Sequence, residues 1–369
     1  MSVNYKKLGD YITQRREKNT AINLQICGVC REGLIPPKQQ DADISLYNVF
    51  FKNDFIFNPA RMELNSITLN TEYDKAICSS LYEIFYINDT SKLLPEFLFV
   101  QLKTDNFVRF CEFQGQGSVR EYCRFANISE YPVIVPDLKE QEKIVNTYNA
   151  ITKHIHLKQK INENLEKTAQ TIYKKLFVEN ADKNWKKCEL GEIVEIKRGG
   201  SPRPISDYMS NDGYRWLKIS DATSSNSPFI FKTEEFIKKE GLKNTVYLKS
   251  GSLVLSNSAT PGLPKILKVD TCIHDGWLYF PKSFFSNEYL YLLFQSIRDE
   301  LRSLGNGSIF TNLKTDILKE YKILIPDKEK LNEFQRIINP IFKQLFNTSK
   351  EIEKLELFKQ SVISRISGM

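Results

Sequence analysis

A long internal repeat constrains this chain more than any other feature. Gly117-Ser118-Val119-Arg120, then Asn127-Ile128, then Tyr131-Pro132-Val133-Ile134-Val135-Pro136-Asp137 returns as Gly307-Ser308-Ile309-Phe310, Asn312-Leu313 and Tyr321-Lys322-Ile323-Leu324-Ile325-Pro326-Asp327. Most of these residues pair at an offset of 190. Three earlier blocks correspond more loosely, in the same order. Tyr5-Lys6-Lys7-Leu8-Gly9-Asp10 echoes Trp185-Lys186-Lys187 followed by Leu190-Gly191-Glu192. The block 52–58 echoes 250–256, and Pro95-Glu96-Phe97-Leu98 echoes Asn287-Glu288-Tyr289-Leu290. One such match arises easily by chance. Four in order indicate a duplicated unit whose offsets drift with loop insertions.

After each Pro-Asp the pattern becomes helical for roughly 40 residues. In the first stretch Ile144, Tyr148, Ile151, Ile155, Lys158, Asn162, Leu165, Ala169, Ile172 and Leu176 step by fours and threes. In the second, Leu331, Phe334, Ile338, Ile341, Leu345, Thr348, Ile352, Leu355, Lys359, Val362 and Ile366 do the same. A period near 3.5 keeps one stripe turned to a partner helix, and its polar members fix register at a cost in stability. Such a helix is roughly 60 Å long, more than one flanking domain can cover. The two are therefore expected to pair with each other, antiparallel. Pro136 and Pro326 stand just ahead of the helices, and Pro340 is expected to kink the second one near Ile337.

Between the helices, short apolar runs bounded by Gly, Asn, Pro or Asp read as strands: 55–57, 84–87, 133–135, 253–255, 277–280 and 323–325. The runs 96–110 and 287–304 read as helices. The fold class is thus α+β, with a globular unit used twice and a long helix after each copy.

Composition narrows the function. The chain has 369 residues, 41% hydrophobic and 26% charged, enough apolar content to build two or three cored domains. No apolar run approaches a membrane span, and MSVNYKKLGD carries no signal-peptide core. Seven scattered cysteines do not suggest a disulfide framework, so the expected setting is a reducing cytoplasm. Net charge is +7, distributed unevenly. Residues 1–136 sum to −1, 137–180 to +2, 181–325 to +4 and 326–369 to +2. A nucleic-acid partner would find its electrostatic handle in the third stretch, while the first would rely on placed side chains.

Catalytic motifs fail on inspection. Cys27-Gly28-Val29-Cys30 has CxxC spacing, yet no second pair follows to complete a zinc site, so no metal is expected. His154 and His156 fall on different faces of a helix. Asn58-Pro59-Ala60-Arg61 is similar to the (Asp/Asn)-Pro-Pro-aromatic motif of amino-methyltransferases but lacks the second proline and the aromatic. Gly115-Gln116-Gly117 lacks a third glycine, and Arg198-Gly199-Gly200-Ser201 lacks the Lys-Ser/Thr of a phosphate loop. His274-Asp275 near Ser256 and Ser258 has no nucleophile elbow. The chain is expected to perform no chemistry alone and to bind no cofactor.

What remains reads as recognition. The loops bordering the strands collect groups that read bases and grip phosphates. In the second unit these are Lys197, Arg198, Ser201, Arg203, Arg215, Ser256, Asn257, Ser258, Thr260, His274, Asp275, Asn306, Ser308, Thr311 and Asn312. In the first they are Asn58, Arg61, Ser79, Ser80, Ser118, Arg120, Tyr122 and Arg124. Taken singly, each is an ordinary exposed loop residue. As clusters at matching places in two repeats, DNA contact is the better reading. A coiled-coil scaffold joining two protein-binding domains is the alternative.

Several blocks now carry a family likeness. Leu190-Gly191-Glu192 with Arg198-Gly199-Gly200-Ser201-Pro202 looks like the opening of a target-recognition domain, and Trp216-Leu217-Lys218-Ile219-Ser220-Asp221 looks like its next strand. Gly117-Ser118 and Gly307-Ser308, each leading to a strand, Pro-Asp and a helix, look like the ends of two such domains. Glu140-Gln141-Glu142-Lys143-Ile144 is similar to a conserved helix start, which Lys328-Glu329-Lys330-Leu331 does not reproduce. Along its whole length the chain resembles the specificity (S) subunit of Type I restriction–modification systems.

The resemblance implies target-recognition domains at 1–136 and 181–325, a central conserved spacer helix at 137–180 and a C-terminal one at 326–369. It implies that each domain reads half of a split sequence in double-stranded DNA and that the helices set the gap. Modification subunits, two of them, would bring S-adenosylmethionine and methylate adenine. Restriction subunits would add ATP- and magnesium-dependent cleavage.

Overall fold

The computed structural model describes residues 5–368 except 22, 32, 38–42, 116–121, 225 and 305–311. The chain divides into two compact units. Unit 1 comprises residues 1–155 with 354–369, and unit 2 comprises 156–353. Each long helix therefore contributes one half to each unit. This differs from a division of globular blocks and spacers at 136, 180 and 325, because each half-helix packs onto the core beside it.

In unit 1, one sheet has the order Ile12–Arg15, Glu83–Ile87, Phe55–Phe57, Ile67–Leu69, all antiparallel. A second has the order Gly33–Ile35, Ile26–Cys30, Lys75–Cys78, Asn48–Phe51, with one parallel pair, Ile26–Cys30 on Lys75–Cys78. Unit 2 repeats both sheets. Lys197–Arg198, Trp277–Tyr279, Leu253–Ser256 and Pro264–Leu267 follow the first order, with Phe229–Ile230 added at the edge. Glu235–Ile237, Tyr214–Leu217, Thr271–Ile273 and Val246–Leu248 follow the second, with its single parallel pair at the same place and Met209–Ser210 added. Eight strands in each unit thus share one plan, down to the parallel pair of the second sheet, which makes the duplication a property of topology as well as of sequence.

The apolar strands explain themselves. Phe55, Ile56 and Phe57 are all fully buried, as are Leu253, Val254 and Leu255, because the central strand of each first sheet is covered on both faces. The stretch expected as one helix over 96–110 is two, Pro95–Leu102 and Asp105–Gly115. Thr104 breaks it: its hydroxyl donates to the Gln101 carbonyl and accepts from Phe107 N, capping a new helix. Likewise 287–304 divides into Asn287–Ser296 and Arg298–Leu304.

The first long helix runs Leu138–Lys174 and continues as a π-helical turn, Lys175–Glu179. The second runs Lys328–Gly368, unbroken through Pro340. In unit 1, Ile144 and Val145 share a buried cluster with Ile363 and Ile366. In unit 2, Ala169, Tyr173 and Phe177 share one with Phe334, Ile338, Phe342 and Leu345. Within unit 2, Tyr173 meets Phe334, Asn162 meets Ser349 and Lys158 meets Glu351, so one helix number rises as the other falls and the halves run antiparallel. The stripe residues 144, 151, 155, 162, 169, 334, 338, 345, 348 and 366 are buried, and 148, 158, 165, 172, 176, 331, 341, 352, 355, 359 and 362 are half-buried.

Gln141 is fully buried at the start of the first long helix. It accepts from Leu94 N at 2.8 Å and donates to the carbonyls of Lys92 and Pro136, both at 2.8 Å. At the matching offset of 190 the second helix has Leu331, which packs against the unit 2 core instead. The two helix starts are therefore held by different means, polar in one copy and apolar in the other.

Candidate nucleic-acid interface

In unit 2 the central strand Leu253–Ser256 delivers its last residue into a closed turn. Ser256 Oγ donates to the Thr260 carbonyl and accepts from Leu263 N. Asn257 donates from Nδ2 to the Asp275 carbonyl at 3.2 Å, and its main chain pairs with Gly276 and Leu313. Both Ser256 and Asn257 are buried and build the turn. The expectation of exposed DNA-contacting side chains at these two positions is not met: Ser256 Oγ and Asn257 Nδ2 are bonded to the backbone around them, while Asn257 Oδ1 is buried without a hydrogen-bond partner.

Beside that turn runs Lys197–Arg198, followed by the glycine pair. Gly199 N donates to the Trp277 carbonyl at 2.8 Å, and a Cβ on Gly199 would overlap the His274 carbonyl oxygen. A Cβ on Gly200 would press on the Asn244 carbonyl, and one on Gly276 would strike the His274 ring. The glycines are required for backbone-on-backbone approach, which brings the 198–203 segment against the 274–277 turn.

Asp275 is the centre of the contacts between these two segments. Its carbonyl accepts from Arg198 Nε at 2.5 Å. Its carboxylate accepts from Ser201 Oγ at 2.7 Å and from Arg203 at 3.3 Å, with the second Arg198 nitrogen at 3.8 Å. Burial pushes the carboxyl upward, but the Ser201 hydrogen bond and the two guanidinium groups outweigh it and hold Asp275 below its ordinary value. His274 packs at a tilt against Trp216 and edge-on against Trp277, and burial lowers its pKa. Arg198, Arg203 and Arg215 are exposed, Ser258 is half-buried, and Lys197 is exposed and paired with Glu195. Asn312 is exposed; Ser308, Thr311 and Asn306 lie outside the described residues.

Unit 1 builds the corresponding place with other residues. The turn from Ser79 to Tyr82 closes through Tyr82 N to the Ser79 carbonyl at 3.0 Å, as Trp277 N closes on His274 at 3.1 Å. Ser80 thus stands where unit 2 has Asp275, and it is exposed. Asn58 caps the next turn through Ala60 N, and Arg61 is exposed. Asn58, Arg61, Ser79 and the strand Ile26–Cys30 line a cavity of about 760 Å³. Arg15 and Arg16 occupy the register of Lys197 and Arg198. Arg15 is consumed by a bidentate pair with buried Asp54 between the rings of Phe51 and Tyr86, and Arg16 turns to Gln14. Arg124 pairs with Glu83 and lies over Tyr122. Ser118 and Arg120 lie outside the described residues.

Cys27 and Cys30 stand three apart on one strand, so their side chains leave opposite faces. Burial pushes the Cys27 thiol up to about 11. Among the described residues no cluster of His, Cys, Asp and Glu is arranged to hold a metal ion, and no helix is long and apolar enough to cross a membrane. Gly276 is the member of the unit 2 site that sequence reading passed over; its only signal is a glycine placed between a polar pair and a buried strand.

Known proteins share this plan. The family model of the Type I restriction modification DNA specificity domain matches residues 38–167 and again 182–359. The chain is similar to the Type I restriction enzyme MjaIX specificity subunit of Methanocaldococcus jannaschii, 20% identical over 302 residues that cover 74% of this chain and 68% of that one. It is similar to the Type I restriction enzyme HindI specificity subunit of Haemophilus influenzae, 22% identical over 378 residues, covering 81% and 82%. The solved S subunit of the Type I restriction–modification system from M. genitalium shares its fold with a TM-score of 0.57 at 15% identity, covering 98% of this chain and 95% of that one. With two matches that together span most of its length, this chain belongs to the Type I restriction–modification DNA specificity family.

Proposed function

We propose that this chain is the DNA sequence-specificity subunit of a Type I restriction–modification complex, in which units 1 and 2 each read one half of a bipartite target. The observation that carries the reading is the recurrence of one turn at the same strand end in two copies of one topology, Ser79–Tyr82 and His274–Trp277, each with an accessible polar side chain at its second position, Ser80 and Asp275. Each copy presents arginine beside it, Arg61 in one and Arg198 with Arg203 in the other. Two similar surfaces with different side chains suit a target whose halves differ in sequence.

The chain itself contributes recognition. Modification subunits, two per chain, supply S-adenosylmethionine-dependent adenine methylation, and restriction subunits supply ATP- and magnesium-dependent cleavage. The complex works where its DNA is, in the cytoplasm. Sequencing modified bases in host DNA tests this: adenine methylation in a two-part motif with a fixed gap is expected, and it disappears when the gene is deleted. Unchanged methylation would sink the proposal. Inserting four residues in the 137–180 helix is expected to change the gap while sparing both half-sequences. A pure scaffold would show no salt-dependent DNA affinity in the assembled complex.

A further inference from the structure

We infer that Arg203 and Asp275 of unit 2 together read one G·C base pair in the half-site this unit recognises, with Arg198 as the residue that positions Asp275. The inference rests on the DNA-reading function proposed above and adds the identity of one base pair and the side chains that select it.

Burial leaves few charged groups available at this end of unit 2. Ser256 and Asn257 are closed off, and Lys197 is paired with Glu195. Lys218, which also faces His274, is paired with Glu235. The other exposed charged groups around the 274–277 turn are Arg198, Arg203 and Asp275, with side-chain exposures of 53%, 74% and 41%. Arg198 is committed through Nε to the Asp275 carbonyl, so its role is to hold the turn. Arg203 contacts Asp275 through one terminal nitrogen alone, at 3.3 Å, and projects the rest of its fork outward.

A carboxylate at this place argues against simple phosphate binding. A phosphate brought to Arg203 would sit beside Asp275 and be repelled by it. A base edge carries no net charge, and an amino group on it is attracted to the carboxylate. Asp275 has accepting capacity beyond its bonds to Ser201 and Arg203, since a carboxylate has about four lone-pair sites.

The pattern offered is one arginine fork next to one acceptor. In the major groove guanine shows two adjacent acceptors, N7 and O6, and cytosine shows the N4 amino donor. The fork matches the guanine and the carboxylate matches the cytosine. An A·T pair places its donor between two acceptors, which a single fork cannot span. Unit 1 has Ser80 in the place of Asp275, so this reading belongs to unit 2 alone.

The test uses the full chain assembled with its modification subunits in a host that lacks adenine methylation, with modified bases mapped across the genome. The wild-type motif is expected to contain a G·C pair that Asp275→Asn and Arg203→Lys each relax. Discrimination at that one pair should fall roughly ten- to a hundredfold, while the other half-site and the gap stay unchanged. Overturning results are a motif unaffected by both variants, relaxation at an A·T pair, or a uniform loss of methylation at every site by Arg203→Lys, which would mark a phosphate contact. Should Asp275→Asn fail to assemble, Arg203→Lys alone decides, because Arg203 is exposed and carries no packing. Absence of any bipartite wild-type motif would instead refute the function proposed above.

Discussion

Asn162 Nδ2 donates to Ser349 Oγ at 3.0 Å, joining helix residues 187 positions apart. Ser349 Oγ also meets Ser227 Oγ at 3.1 Å, so within unit 2 one hydroxyl ties both long helices to the recognition fold. The polar break in the helical stripe is thus an attachment point. Ser349→Ala removes the shared partner and is expected to cost about 1–3 kcal/mol. Asn162→Leu is expected to cost less or to stabilise, because Asn162 Oδ1 is buried without a partner and disappears with the amide. Urea denaturation of both variants checks this; equal losses would show that the hydroxyl is not the hub.

Gln141→Ala should be among the most damaging changes in unit 1. It strands one N–H and two carbonyls at the helix start, and the expected cost is about 3 kcal/mol or more. Leu331→Ala, at the corresponding place in the second helix, should cost about 2–3 kcal/mol through lost packing alone. Thermal unfolding of each variant complex measures the pair, and a harmless Gln141→Ala would contradict the buried hydrogen bonds.

Two glycines separate steric from conformational cost. Gly199→Ala forces a methyl into the His274 carbonyl and should displace the Asp275 turn, costing about 2–3 kcal/mol and the methylation that depends on unit 2. Gly251 has φ +98° but open space around a Cβ. Gly251→Ala should cost about 1 kcal/mol and leave recognition intact. Methylation mapping beside a melting curve distinguishes them; equal loss of recognition would refute the close-approach argument.

Lys265 gives unit 2 a signature in alkaline solution. It is buried near Glu166, and burial lowers its pKa to about 8 although Glu166 opposes the shift. Arg298 pushes it down further. Below pH 8 the lysine is charged in both states and its burial is unfavourable. Between about 8 and the ordinary 10.5 the unfolded chain holds more protons, so this group makes stability rise with pH, by up to about 3 kcal/mol. Glu166 has the opposite sign: burial raises its pKa, so its contribution falls as pH rises from the ordinary carboxyl value toward the raised one. The difference in unfolding free energy between wild type and Lys265→Met, followed from pH 7 to 11, should contain the alkaline rise. A flat difference would show that Lys265 does not titrate there.

Parts of the fold were legible because their causes are local. Phe55–Phe57 and Leu253–Leu255 are apolar runs between turn residues, and they are the buried central strands. The break at Thr104 was not legible, because a single hydroxyl decided it within an apolar run that reads as continuous helix. The recognition loops were legible in composition only. Arg15 and Arg198 look alike in sequence, yet the first is spent on buried Asp54 and the second on the Asp275 carbonyl.

The sequence alone determined the duplication, the two long helices and their inward stripe, since chain order and a period of 3.5 residues are properties of neighbours along the chain. Only the tertiary structure decided which polar residues face outward. Ser256 and Asn257 are enclosed while Asp275 stands open between two arginines, because strands far apart in sequence meet there and backbone groups take Ser256 Oγ and Asn257 Nδ2 but leave the Asp275 carboxylate to side chains.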